Sequence, residues 1–274
     1  MNLYITGTPI GNLEDMSYRQ VSTLKSVDVI LAEDTRVTRK LLNYFDINTK
    51  LVSYHDYNKE TETEKIIEEM KSGTTFSLVS DAGMPVISDP GFELVQRMQE
   101  ENLPYTVIPG ASAFTMALVL SGIPSFEFTY FGFLPKSNKK KREKLEEILY
   151  SDKTVVLYES PHRIEKIIKE ITAHEPERLV SVSREISKKF EQTLTCTAKE
   201  MSEKIGTEIP LKGEFVIVIE GYKEKNLVFD EAIDKHVESF IEAGMKTKEA
   251  IKEVANLRGM KTQEVYDLYH IKKP

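Results

Sequence analysis

The chain has 274 residues, 40% of them hydrophobic, and a formal net charge of −7, which is enough for two domains with real cores and too acidic for a surface given over wholly to nucleic acid. Its single cysteine, Cys196, excludes an internal disulfide. The five histidines (His55, His162, His174, His236 and His270) cluster neither with it nor with one another, so no metal site is expected. No run approaches the ~18 apolar residues of a membrane span, and the N-terminus opens directly on Asn2-Leu3-Tyr4-Ile5-Thr6, so a cytoplasmic protein with no membrane partner is expected.

Leu3–Thr6, Val29–Ala32, Leu51–Tyr54, Phe76–Val79 and Tyr105–Ile108 read as short strands, mostly apolar on both faces, as a parallel sheet covered by helices requires. Thr35–Tyr44, Thr61–Lys71 and Phe92–Glu100 carry helical periodicity between them, which is βαβ grammar. After Pro109-Gly110, the small apolar segment Ala111–Ser121 reads as a helix packed close to sheet or ligand. From Phe126 onward the pattern becomes alternating strands: Phe128–Phe133, Thr154–Glu159, Leu179–Arg184, Glu191–Thr197 and Phe215–Glu220. Helices are expected near Lys139–Leu149, Pro161–Thr172 and Ala198–Lys204, giving a second α/β domain with a mixed sheet. Asp230–Ala243, Thr247–Arg258 and Thr262–His270 read as three helices, with Gly244 and Gly259 as stops and Thr247 and Thr262 as N-caps. The expected organisation is an α/β domain over 1–115, a second over 116–224, a ligand cleft between them, and a small helical module over 225–274.

Two loops at strand ends are crowded with glycine and proline: Gly7-Thr8-Pro9-Ile10-Gly11-Asn12, and Ser80-Asp81-Ala82-Gly83-Met84-Pro85 running on to Ile87-Ser88-Asp89-Pro90-Gly91. At the carboxyl ends of parallel strands such loops let backbone amides and carbonyls approach a small molecule. The spacing fits neither a P-loop nor a dinucleotide fingerprint, and no Gly-x-Ser-x-Gly is present, so nucleoside triphosphate, NAD and covalent hydrolysis lack support. Glu33 and Asp34 followed by Arg36 and Arg39, Glu159 followed by Arg163, and the pair Arg184-Glu185 each stand at a strand end, where a polar substrate crevice would use them and where an ordinary surface pair would also sit. Lys136–Lys144 carries six basic residues against one acidic one. Such a run is ordinarily a solvated helix face; its functional alternative is contact with a phosphate backbone.

Taken together, Gly7–Leu13, Ala32-Glu33-Asp34-Thr35-Arg36, Ser80–Gly91, Pro109-Gly110-Ala111-Ser112-Ala113 and Tyr158-Glu159-Ser160-Pro161-His162-Arg163 resemble the motifs of the tetrapyrrole methylase superfamily, and within it those of the ribosomal RNA small subunit methyltransferase I branch, over the whole chain. The resemblance implies S-adenosylmethionine bound in the cleft and methyl transfer to the 2′-hydroxyl of a decoding-region cytidine in 16S rRNA, on the assembled 30S subunit, by a homodimer. Carried over by motif, Gly7, Pro9, Asp81, Ala82, Gly83, Met84, Ile87, Ser112 and Ala113 would hold the cofactor. Glu33, Asp34, Glu159 and Glu185 are candidates for a catalytic base, which would add roughly 10²–10⁴ in rate. Arg36, Arg39, Lys139, Lys140, Lys141, Arg142, Arg163 and Arg184 are candidates for RNA contact. Rival readings are a methyltransferase acting on a tetrapyrrole, and a ribosome-associated binding protein without catalysis; the basic run and C-terminal helices favour RNA.

Overall fold

The computed structural model describes residues 1–222 and 232–271. Met1–Tyr222 forms one compact unit holding two five-stranded sheets, and the C-terminal helices form a second. The boundary expected at 224/225 lies outside the described residues.

The first sheet consists of β1 (Leu3–Thr6), β2 (Val29–Ala32), β3 (Lys50–Ser53), β4 (Phe76–Val79) and β5 (Tyr105–Ile108), in the order β3-β2-β4-β1-β5. Every pairing is parallel. β2 and β4 are buried along their whole length, which explains runs that are apolar at every position. Alternate residues feed two cores: Leu3, Val29, Leu31 and Leu78 pack with α3 (Lys59–Lys71) and α4 (Phe92–Glu100), while Ile30, Ala32 and Val79 pack with α1 (Tyr18–Ser26) and α2 (Thr35–Tyr44). Helix α1 has too few apolar positions to stand out by periodicity. Its sequence signal is the Ser17/Gln20 capping box.

The second sheet has the order β6-β7-β10-β8-β9, built from β6 (Phe128–Phe133), β7 (Thr154–Glu159), β8 (Leu179–Arg184), β9 (Gln192–Thr197) and β10 (Phe215–Ile219). β6 and β7 run parallel and the remaining pairs antiparallel, the mixed sheet that the alternating pattern implies. Its outer face packs on α6 (Asn138–Leu149), α7 (Ile164–His174) and α8 (Ala198–Lys204). Its inner face, through Val156, Val216 and Val218, packs on Ala117 and Leu118 of α5 (Ala113–Ser121). Thus α5 leaves the first sheet and covers the second, and position 115/116 falls inside it. Pro161 does not open α7: residues 161–163 form a turn and the helix begins at Ile164.

Helices α9 (Ile233–Glu242), α10 (Thr247–Leu257) and α11 (Thr262–Ile271) enclose their own small core of Val237, Ile251, Val254, Val265 and Tyr269. Asp230 and Glu231, expected at the start of the first of these helices, lie outside the described residues. Thr247 and Thr262 are the first helical residues rather than N-caps; Lys246 occupies the cap of α10 without a side-chain bond. Gly244 and Gly259 take the left-handed conformations that end helices, with φ of 97° and 62°.

A close backbone approach in the first unit joins two loops: a methyl group on Gly110 would lie 2.8 Å from the Gly7 Cα and 2.8 Å from Gln20 Nε2. Gly110→Ala is therefore expected to lower stability by about 1–3 kcal/mol through overpacking, read as a fall in the urea midpoint. An unchanged midpoint would show that these loops are free to part.

Candidate functional site

Because all strands of the first sheet are parallel, the loops after β1, β2, β4 and β5 emerge on one edge. The chain locks these loops together. Thr8 and Gly83 exchange backbone hydrogen bonds of 2.8 and 3.1 Å, the buried Thr8 hydroxyl donates to the Ser80 carbonyl at 3.1 Å, and the Ser80 hydroxyl donates to the Gly83 carbonyl at 3.0 Å. Gln20 Nε2 donates to the Gly7 carbonyl at 2.8 Å, while the Gly7 amide donates to the Ile108 carbonyl. Beyond Gly83 the backbone is strained: Val86 and Ser88 have φ of 76° and 64°. A β-branched residue rarely adopts this conformation, and each such residue costs on the order of 1–3 kcal/mol, which is characteristic of ligand-holding segments.

These loops and the facing ends of β6, β7 and β10 enclose a cavity of about 430 Å³, the size of a small-molecule site. Of the residues expected to hold a cofactor, Asp81, Ala82, Gly83, Met84, Ile87, Ser112 and Ala113 line it. Gly7 and Pro9 do not; Gly7 serves behind the wall, where its missing side chain lets Gly110 and Met84 close in. Of the four candidate bases, Glu33 and Glu159 line the cavity. Asp34 instead caps α2 and holds Arg36 through both carboxylate oxygens, which keeps it well below the usual carboxylate range. Glu185 is also engaged elsewhere. Against the upward push of burial, Lys188 and the Glu214 amide hold its carboxyl low.

Glu159 ends β7 with its side chain fully enclosed. Oε1 accepts from the Ser160 amide and from Arg163 Nε, both at 2.7 Å, whereas Oε2 is buried with no hydrogen-bond partner among the described residues. A buried carboxylate oxygen left unpaired is costly, and Glu159 is itself one of the residues lining the cavity. The opposite wall is acidic. Burial, then the neighbouring Glu33 and Asp81, push the Asp89 carboxyl up to about 7. Glu33 and Asp81 also lie above the ordinary range, first through lost solvation and then through nearby carboxylates. Such crowding favours a cationic ligand.

The basic candidates divide. Arg163 is spent on Glu159 and the Leu134 carbonyl, and Arg184 on the carbonyls of Lys212 and Phe190. On α6, Lys141 faces Glu170 at 3.8 Å, while Lys139, Lys140 and Arg142 are exposed and make no ion pair among the described residues. Arg39 is likewise exposed. The cavity residues that motif reading left without a role are Ile10, Ser88, Asp89, Phe133, Tyr158, Ser160, Pro161, Ile186 and Gly213–Val216. Most come from strand ends of the second sheet, where no glycine-rich loop marks them.

A family model described as Tetrapyrrole (Corrin/Porphyrin) Methylases matches residues 2–202. The ribosomal RNA small subunit methyltransferase I of Halalkalibacterium halodurans is 46% identical over 273 residues, covering 98% of this chain and 94% of that protein. Its counterpart in Bacillus subtilis is 43% identical, covering 99% of this chain and 94% of that protein. Among solved structures, a cobalt precorrin-4 methyltransferase of cobalamin biosynthesis superposes with a TM-score of 0.60 at 19% identity, covering 80% of this chain and 94% of that one. A uroporphyrin-III-C-methyltransferase from Thermus thermophilus gives 0.53 at 18% identity, covering 79% and 93%. These two likenesses are of fold.

The raised Asp89 carboxyl has a thermodynamic signature. The unfolded chain releases this proton near the ordinary value of about 4 and the folded chain only near 7, so its contribution to stability is complete below about pH 4 and is lost as pH rises to about 7. Asp89→Asn should flatten thermal stability between these limits and exceed the native protein above pH 7. Identical profiles for the two would remove the acidic wall from the site.

Proposed function

The chain belongs to the tetrapyrrole methylase family and, within it, to the ribosomal RNA small subunit methyltransferase I family, and from that membership and the cavity we infer that it is an S-adenosylmethionine-dependent methyltransferase of ribosomal RNA. The observation that carries this reading is the convergence of the motif residues Asp81–Met84, Ile87, Ser112 and Ala113 on one cavity that is also lined by Glu159, whose second carboxylate oxygen is buried without a partner among the described residues. Both chemical features suit the donor. Its ammonium and hydroxyl groups are donors for Glu159 Oε2, and its positive charge suits Glu33, Asp81 and Asp89. When bound, S-adenosylmethionine supplies a methyl group already activated on a sulfonium.

The acceptor in this reading is the 2′-hydroxyl of a cytidine in the decoding region of 16S rRNA. A ribose hydroxyl is a weak nucleophile, so orientation supplies most of the acceleration and a carboxylate within hydrogen-bond reach removes the proton. Glu33, Asp81, Asp89, Glu159 and Glu214 are the carboxylates that line the cavity, and Glu33 and Glu159 are those among them already marked by the sequence. An acidic wall has a second effect, since it attracts the cationic donor more than a product that has lost the sulfonium charge. The protein would thereby release product readily.

With a net charge of −7 the chain gains little from long-range attraction to free RNA, which supports the assembled 30S subunit, in the cytoplasm, as the substrate. The exposed basic residues of α6 then act locally as phosphate contacts. Self-association as a homodimer is supported by an apolar surface running from the end of α5 into β6, where Val119, Leu120, Phe126 and Phe128 are all exposed.

Labelled S-adenosylmethionine offered with undermethylated 30S subunits tests the reading. The expected product is 2′-O-methylcytidine in the decoding region, located by mass spectrometry; transfer to a tetrapyrrole and none to the subunit would contradict it. Replacing Lys139, Lys140 and Arg142 together with glutamate should weaken subunit binding at least tenfold at low salt and reduce its salt dependence, with donor affinity unchanged. Equal binding across a salt series would make α6 an ordinary solvated face.

A further inference from the structure

β6 contains an irregularity that places an aromatic ring where the fold alone would not. Tyr130 pairs with Val156 and Phe133 with Tyr158, so three steps along β6 match two along β7. One extra residue is accommodated at Gly132, whose φ is 61°. Side chains of a regular strand alternate, so Phe133 would share the face of Phe131, which packs into the outer core. The bulge reverses this. Phe133 instead joins Tyr130 and Tyr158 on the cavity side, its ring 5.4 Å from that of Tyr158 and inclined at 56°.

The reversal exposes a large apolar side chain that the outer core would have buried: Phe133 is 56% exposed at the cavity rim. Bulges beside active sites commonly re-aim a side chain in this way. The surroundings hold the strand in place. Tyr130 is stacked on Phe114 at 4.5 Å and bonded to the Ser88 hydroxyl at 2.7 Å, and a methyl group on Gly132 would approach that same serine oxygen to 3.1 Å. Phe133 also stands three residues ahead of Lys136, where the basic run begins.

We propose that Phe133 is the platform on which the target base stacks, at the mouth of the cavity, while its ribose enters. The proposal rests on the RNA methyltransferase reading above. A base within a folded RNA must leave its neighbours to present its ribose to a recessed site, and enzymes and RNA-binding proteins receive such bases on aromatic faces. With more than half of its surface exposed, the ring also faces the side from which a macromolecule arrives. Phe133 is thus a positioning residue for the acceptor.

Phe133→Leu keeps apolar bulk and removes the ring, whereas Phe133→Trp keeps a stacking face. With 30S subunits as substrate, kcat/KM should fall about tenfold or more in the leucine variant and recover in the tryptophan variant. Affinity for S-adenosylhomocysteine, measured by titration calorimetry, should change less than twofold in both. An unchanged kcat/KM in Phe133→Leu overturns the proposal, as does a parallel loss of S-adenosylhomocysteine affinity, which would assign the ring to the donor. Loss in both variants without recovery by tryptophan also overturns it. Failure of the unaltered protein to methylate any 30S nucleotide overturns the RNA reading itself, and this role falls with it.

Discussion

The site depends on the close approach of backbones around Gly7. With no side chain at Gly7 or Gly110, the loops after β1 and β5 lie against each other, and the reciprocal Thr8–Gly83 hydrogen bonds bring in the loop after β4. Gln20 closes the arrangement by capping α1 with one end of its amide and the Gly7 carbonyl with the other. Three loops that would each be mobile alone thereby become one wall. This rigidity sustains the strained Val86 and Ser88, and it fixes Ala82, Met84 and Ser112 relative to one another at the cavity.

The second sheet supplies the facing wall by different means. Its strands are antiparallel around β10, so the start of β10 lies beside the end of β7, and Phe215 pairs with Glu159. Glu159, one of the cavity residues, is held through one oxygen by Arg163 and the Ser160 amide, leaving the other buried without a hydrogen-bond partner among the described residues. The same cavity also holds Glu33, Asp81 and Asp89, three carboxyls raised first by burial and then by neighbouring carboxylates, a crowding that a bound cation would relieve. A cationic donor that loses its charge on reaction fits this asymmetry in both binding and release.

The first sheet was legible because its strands are buried on both faces and end in glycine and proline, so the residue types alone mark strand, turn and ligand loop. That signal marked the Ser80–Gly91 loop, whereas the choice of Asp81–Met84 and Ser112-Ala113 as cofactor residues came from the family resemblance; all of them line the cavity. The contributions of the second sheet were harder to see. Ile186 and Gly213–Val216 reach the cavity through antiparallel register, which no local pattern encodes. Asp34, Glu185, Arg163 and Arg184 show the opposite difficulty: charged residues at strand ends look functional, yet these four are largely occupied in capping a helix, neutralising Lys188, orienting Glu159 and tying down loop carbonyls. The isolated Gly132 between Phe131 and Phe133 was a readable bulge signal, and it changes which ring faces the site.

The most direct test is a crystal structure of the protein with S-adenosylhomocysteine. The ligand should occupy the cavity between the Asp81–Ile87 segment, Ser112-Ala113 and Glu159, with one of its donor groups within hydrogen-bond distance of Glu159 Oε2. Density for the ligand at another surface, with this cavity filled only by solvent, would contradict the assignment of the donor site and the chemistry built on it.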